Sequence, residues 1–152
     1  LIISGPGIPD GQKQDAPVSL VDMYPTITDM AGLDSEPDRP GESWLRSCNG
    51  KARKTDYAFS EFHGNFLRHD WFMLVRGDYK YTYYEKERPT LYNVTVDPQE
   101  CDDLAGDPEF GEILAGFEAL LRTICDPREV SDRAKRDLGL IGSDGTDYTQ
   151  MV

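Results

Sequence analysis

The stretch from Arg76 to Ala105, RGDYKYTYYEKERPTLYNVTVDPQECDDLA, constrains the fold more than any other. Tyr79, Tyr81 and Tyr83 alternate with Lys80, Thr82 and Tyr84, the period-2 pattern of a strand with two unlike faces. Leu91 to Val94 reads as the returning strand. Asp97-Pro98 ends it, because proline has no amide hydrogen to give to a ladder. Tyr57–Phe62 and Trp71–Arg76 are also strand-like, so four strands follow one another through short polar turns. That is the signature of an antiparallel sheet.

A helix is expected from about Asp107 to Cys125, with Asp107 as cap and Pro108 in the first turn. Ile113, Leu114, Phe117, Leu120, Leu121 and Ile124 recur at spacings of three and four. The obvious place for that stripe is one face of the sheet. Burying six such side chains contributes on the order of 10 kcal/mol before entropy. A short charged helix is expected over Val130–Leu138, and an unstructured tail after residue 140. The fold class is therefore α+β.

The first 40 residues read differently. Leu1-Ile2-Ile3 is a continuous apolar run, expected as a buried strand, and Ser4–Gly11 breaks all regular structure. A short helix is expected within Asp22–Ala31, stopped by Gly32, with Asp22 capping or pairing structurally. Gly41–Leu45 turns into another brief helix, and Lys51–Thr55 reads as basic and exposed. Trp44 and Trp71 are expected as core or interface anchors.

Composition narrows the function classes. The formal charge of −12 repels phosphate backbones, which argues against nucleic acid as a partner. No apolar run approaches the roughly 20 residues that span a bilayer, so no membrane partner is expected. Three irregularly spaced cysteines, Cys48, Cys101 and Cys125, make no disulfide framework, and with two histidines no ordinary zinc site. Free thiols favour a cytoplasmic setting without fixing the compartment. Asn93-Val94-Thr95 fits a glycosylation sequon but falls in an expected strand, and reads as accidental.

Several segments, in order, resemble the formylglycine-dependent sulfatase family, a branch of the alkaline-phosphatase-like superfamily. They are LIISGPGIPDGQ, APVSLVDMYPTITDMAGL, GESWL, AFSEF and the hairpin with its LYNVTVDPQE exit. The resemblance runs from residue 1 to about 110. It implies that residues 1–40 are the tail end of a catalytic α/β domain, contributing its last strand and helix. Residues 41–140 would form the C-terminal subdomain, a four-stranded sheet plus helix, with 141–152 as a tail. It also implies a hydrolase of sulfate esters. Its formylglycine and calcium would lie in a missing N-terminal catalytic domain, leaving this piece inert alone and with no cofactor of its own. Cys125-Asp126-Pro127-Arg128 approaches the maturation motif, but its arginine falls one residue early, so it reads as a helix terminus.

The resemblance places His63, after Glu61-Phe62, in a loop that helps choose the substrate, as a donor to a sulfate or leaving-group oxygen. Arg76 and Lys80 match basic residues of the family hairpin and are candidate sulfate contacts. The plainer readings are a polar residue ending a strand for His63 and surface ion pairs for the other two. His69, between Arg68 and Asp70, reads as solvated. The alternatives in function are a phosphonate or phosphate monoester hydrolase of the same superfamily and a non-catalytic binding module. A separated piece should expose Leu1–Ile3 and the Tyr24–Ala31 helix and self-associate.

Overall fold

The computed structural model describes residues 1–34, 36–64, 69–142, 144 and 146. Arg68 and most of the expected tail lie outside these. The chain divides into two compact units, residues 1–58 and 59–152, and the division falls within the first strand.

In the second unit, strands β1 (Tyr57–Phe62), β2 (Trp71–Arg76), β3 (Tyr79–Tyr84) and β4 (Thr90–Asn93) form one sheet in sequential order. β2 and β3 are joined by Gly77-Asp78, with Gly77 at φ +55°, a conformation glycine takes without steric cost. The antiparallel register sets Leu74 opposite Tyr81 and Tyr81 opposite Leu91. That row of three side chains is fully buried. Because partners across a ladder share a face, Phe72, Leu74, Tyr81 and Leu91 make one apolar surface.

Helix α3 (Gly111–Ile124) covers it. Asp107 accepts a hydrogen bond from the Glu109 amide and Pro108 follows, but the first turn, Pro108–Phe110, is 3-10. The α-helix proper therefore starts later than the sequence suggested. Phe117 and Leu121 are its buried members, and the Phe117 ring stacks on Tyr81 at 5.6 Å. The expected α+β arrangement of a four-stranded antiparallel sheet with a helix packed on it is the one observed. The Tyr81 hydroxyl donates to Glu118 at 2.6 Å, and Arg122 donates to the same carboxylate at 2.7 Å. Burial, and then the Glu118 contact, push the Tyr81 phenol far above its ordinary pKa. Burial alone would raise the Glu118 pKa, but Tyr81 and Arg122 outweigh it and hold the carboxyl below the usual range.

Helix α4 (Pro127–Asp137) follows at once, with the Asp126 side chain accepting from the Arg128 and Glu129 amides. Cys125-Asp126-Pro127-Arg128 is thus a helix end followed by an N-cap and first turn.

In the first unit, α1 (Met23–Met30) and α2 (Leu45–Cys48) are drawn together by Asp22. Its carboxylate accepts from the Ser19 and Glu42 amides at 2.9 and 2.8 Å, from Trp44 Nε1 at 3.1 Å and from Arg53 Nη2 at 2.8 Å. Gly41 is required here: a Cβ at that position would lie 2.4 Å from the Val21 carbonyl oxygen. Arg53 corrects the expectation of an exposed basic segment, since its side chain is only 5% accessible. A charge inside a run of lysines and arginines was drawn in by a carboxylate 31 residues earlier. Leu1–Ile3 also differs from expectation, with no strand there and Ile2 95% exposed. A three-residue run with no neighbouring strand has nothing to satisfy its backbone groups.

Candidate functional site

His63 directly follows β1, and its ring meets the edge of buried Phe72 at 5.3 Å and 70°. Two carboxylates flank it. Asp70 Oδ2 lies 3.5 Å from Nδ1, and Glu61 Oε2 lies 3.8 Å from Nε2. Both ring nitrogens are buried and neither makes a hydrogen bond. An imidazole in this position has spare donor capacity that the chain does not use.

The two carboxylates differ. Asp70 is 4% exposed and immediately precedes β2. Its carbonyl accepts from the Glu85 amide at 2.9 Å, which fixes the backbone. Its Oδ2 accepts a short hydrogen bond from Ser131 Oγ, and Lys135 Nζ is 3.7 Å away. Lys135 also donates to Ser131 Oγ at 2.8 Å. Ser131 and Lys135 stand one turn apart on α4, so both face Asp70. Glu61 is about two-fifths exposed.

The other two candidates sit elsewhere. Arg76 ends β2, four residues beyond Phe72, which places it about 13 Å along the strand from the His63 contact at ~3.3 Å per residue. Lys80 pairs with Val75 and Tyr92 across the sheet, whereas Arg76 pairs with Tyr79. Arg76 and Lys80 therefore belong to opposite faces. Lys80 Nζ lies 2.7 Å from Glu100 Oε2, and Glu100 adopts φ +56° in the turn that leaves β4. This ion pair ties the Asp97–Glu100 turn to β3. His69 is less solvated than expected: Nε2 is 3.2 Å from Glu87 Oε1 and the side chain is 22% accessible.

Asp70, Ser131 and Lys135 were not found by sequence reasoning. The only local signal was the i, i+4 spacing of Ser131 and Lys135 behind an Asp-Pro cap, and it says nothing about a partner 61 residues away. Among the described residues, no group of three or more His, Cys, Asp or Glu side chains could hold a metal ion. Calcium therefore has no fitting donor set among the described residues. No described helix is long and apolar enough to cross a membrane.

The site thus sits at one strand end of a four-stranded antiparallel sheet covered by a long helix. The family model for N-sulphoglucosamine sulphohydrolase, C-terminal, matches residues 1–126, and the chain belongs to that family. It is 35% identical over 142 residues to arylsulfatase K of Mus musculus, covering 86% of this chain and 25% of the relative. It is 34% identical over 134 residues to the Delta 4,5-hexuronate-2-O-sulfatase of Bacteroides thetaiotaomicron, covering 79% of this chain and 27% of the relative. Among solved structures, a 2-O GAG sulfatase superposes with a TM-score of 0.60 at 30% identity, covering 80% of this chain and 26% of that one. The phosphonate monoester hydrolase of Silicibacter pomeroyi gives 0.65 at 19% identity over 96% of this chain and 29% of that one, a likeness of fold alone. The chain spans about a quarter of the length of these relatives.

Proposed function

We propose that this chain is the C-terminal part of a sulfatase that hydrolyses the sulfate ester of a sulfated hexuronide, and that it completes the fold and shapes the substrate pocket. Residues 1–40 would continue the catalytic α/β domain, residues 41–140 would form the subdomain, and 141–152 a tail. The formylglycine and the calcium would come from other residues of the whole enzyme. The hexuronide follows from relatives named for 2-O-sulfated uronic acids and glycosaminoglycans.

The observation that carries the site is His63, with two buried ring nitrogens and no hydrogen-bond partner. A substrate oxygen arriving at Nε2 would accept the hydrogen bond that the chain leaves unmade, with Glu61 swinging aside. Of the two hairpin cations, at most one shares a face with such a ligand. Arg76 shares a strand face with Phe72, the ring His63 packs against, so of the two it is the one proposed as an ancillary sulfate contact.

The partner proposed for the first unit is the rest of the enzyme. Leu20, Met23, Ile27 and Met30 fall at helical spacing and are all exposed, a surface soluble chains rarely leave open. Separated from that partner, the chain should self-associate, and sedimentation showing a clean monomer would contradict this.

The functional test is an assay of the complete enzyme on a 2-O-sulfated unsaturated hexuronide, an aryl sulfate and an aryl phosphonate. The highest kcat/KM is expected on the sulfated hexuronide. A strong preference for the phosphonate would replace this reading with that of a phosphonate monoester hydrolase.

A further inference from the structure

We infer that Asp70 is a positioning residue for His63, and that helix α4 takes part in the specificity pocket by fixing Asp70 through Ser131 and Lys135. This rests on the reading above that His63 meets the substrate.

An imidazole on a loop can rotate about two bonds and present either nitrogen. Its orientation and tautomer are set by whatever holds the nitrogen that does not meet the ligand. Here Nδ1 faces a carboxylate 3.5 Å away that is buried and anchored, while Nε2 faces one that is half in solvent. The two sides are therefore unequal. Asp70 is held by the Ser131 hydroxyl, by the nearby Lys135 ammonium and by the backbone bond from Glu85. Glu61, next to last on β1, is about two-fifths exposed. Phe72, fully buried, limits the ring on a third side.

When a ligand oxygen engages Nε2–H, closing the Nδ1 to Asp70 gap by about half an ångström would complete a charge-assisted hydrogen bond. Asp70 then keeps the ring in the tautomer, or the protonated form, that donates from Nε2. A site contact held by such a supporting shell is more sharply placed than one left to loop rotamers. Lys135 Nζ, 3.7 Å from Asp70 Oδ2, places a positive charge beside the carboxylate.

The experiment compares His63→Gln, Asp70→Asn, Asp70→Glu, Ser131→Ala and the double variants His63→Gln/Asp70→Asn and His63→Gln/Ser131→Ala in the complete enzyme, assayed on a 2-O-sulfated hexuronide. Thermal melting reports folding. Asp70→Asn should lower kcat/KM about tenfold or more, the scale seen when partners that orient metal-binding imidazoles are removed. Asp70→Glu should restore part of the loss. In the His63→Gln background, Asp70→Asn should cost nothing further, because its effect passes through the ring.

A loss that is the same with and without His63 would overturn the inference and leave the His63 reading standing, as would an unchanged Asp70→Asn enzyme. An unchanged His63→Gln enzyme would remove the reading beneath both. Should Asp70→Asn fail to fold, Ser131→Ala decides. A loss seen only when His63 is present supports the inference, and an unchanged kcat/KM overturns it.

Discussion

Two buried aspartates organise the two units, and they are finished differently. Asp22 in the first unit receives two backbone amides, an indole N–H and a guanidinium, three of them on Oδ2 and one on Oδ1. The unsatisfied atoms of that node are Nε and Nη1 of Arg53, a group that cannot give up its proton. Asp70 in the second unit receives a hydroxyl and a nearby ammonium, and the unsatisfied atoms beside it are the two nitrogens of a histidine. The first arrangement is a staple. The second leaves an imidazole nitrogen unused beside a half-open carboxylate, which is what a ligand contact needs. Burial of an aspartate therefore says little about its role until the atoms around it have been counted.

Breaking the staple should have the largest effect on stability. Asp22→Ala leaves the Arg53 charge buried and unpaired, and should cost about 3–5 kcal/mol. Chemical denaturation followed through Trp44 fluorescence would measure it, and a cost below about 1 kcal/mol would mean that the node relaxes to admit water. Ser131→Ala removes one hydroxyl from Asp70 but leaves Lys135, so it should cost less, about 1–3 kcal/mol.

Acid should separate the same two regions. The Asp22 carboxyl sits below its ordinary value: burial raises it, but the Ser19 and Glu42 amides and Arg53 more than compensate. Its folded pKa is lower than its unfolded one, as is that of Glu118. Their contribution is therefore complete above the unfolded values and lost as pH falls through the folded ones. Stability measured from pH 6 to pH 2 should fall below the ordinary carboxylate range, and Asp22→Asn should flatten that fall. A fall of unchanged steepness would locate the acid sensitivity elsewhere.

The smallest effects belong to residues with no bond to lose. Ile27→Ser, on the exposed α1 stripe, should change stability by no more than about 0.5 kcal/mol while reducing self-association in sedimentation. His63→Phe should also be close to neutral, because no hydrogen bond is forfeited and Phe72 offers an aromatic edge. A cost of several kcal/mol would mean that the imidazole supports the fold, and the contrast with Asp22 would fail.

What could be read from the sequence was local. The alternation of Tyr79, Tyr81 and Tyr83 with their neighbours gave β3 and its buried face. The spacing of Phe117 and Leu121 gave the helix that covers it. Asp126-Pro127 looked like the end of one helix, and the structure shows it also starts the next. The sulfatase resemblance singled out His63, yet nothing in the sequence pointed to its support. Asp70, Ser131 and Lys135 come from a strand edge and a terminal helix 61 residues apart, and no periodicity links such positions. Arg53 was misread for the same reason. A basic residue in a polar run is surface by default, and only a distant carboxylate can reverse that.

The most direct measurement is kcat/KM of the complete enzyme and its His63→Gln variant on a 2-O-sulfated hexuronide, with thermal melting alongside. The account predicts a loss of about tenfold or more, the worth of a hydrogen bond to a charged oxygen, with the melting temperature unmoved. Equal kcat/KM values for the two enzymes would contradict it.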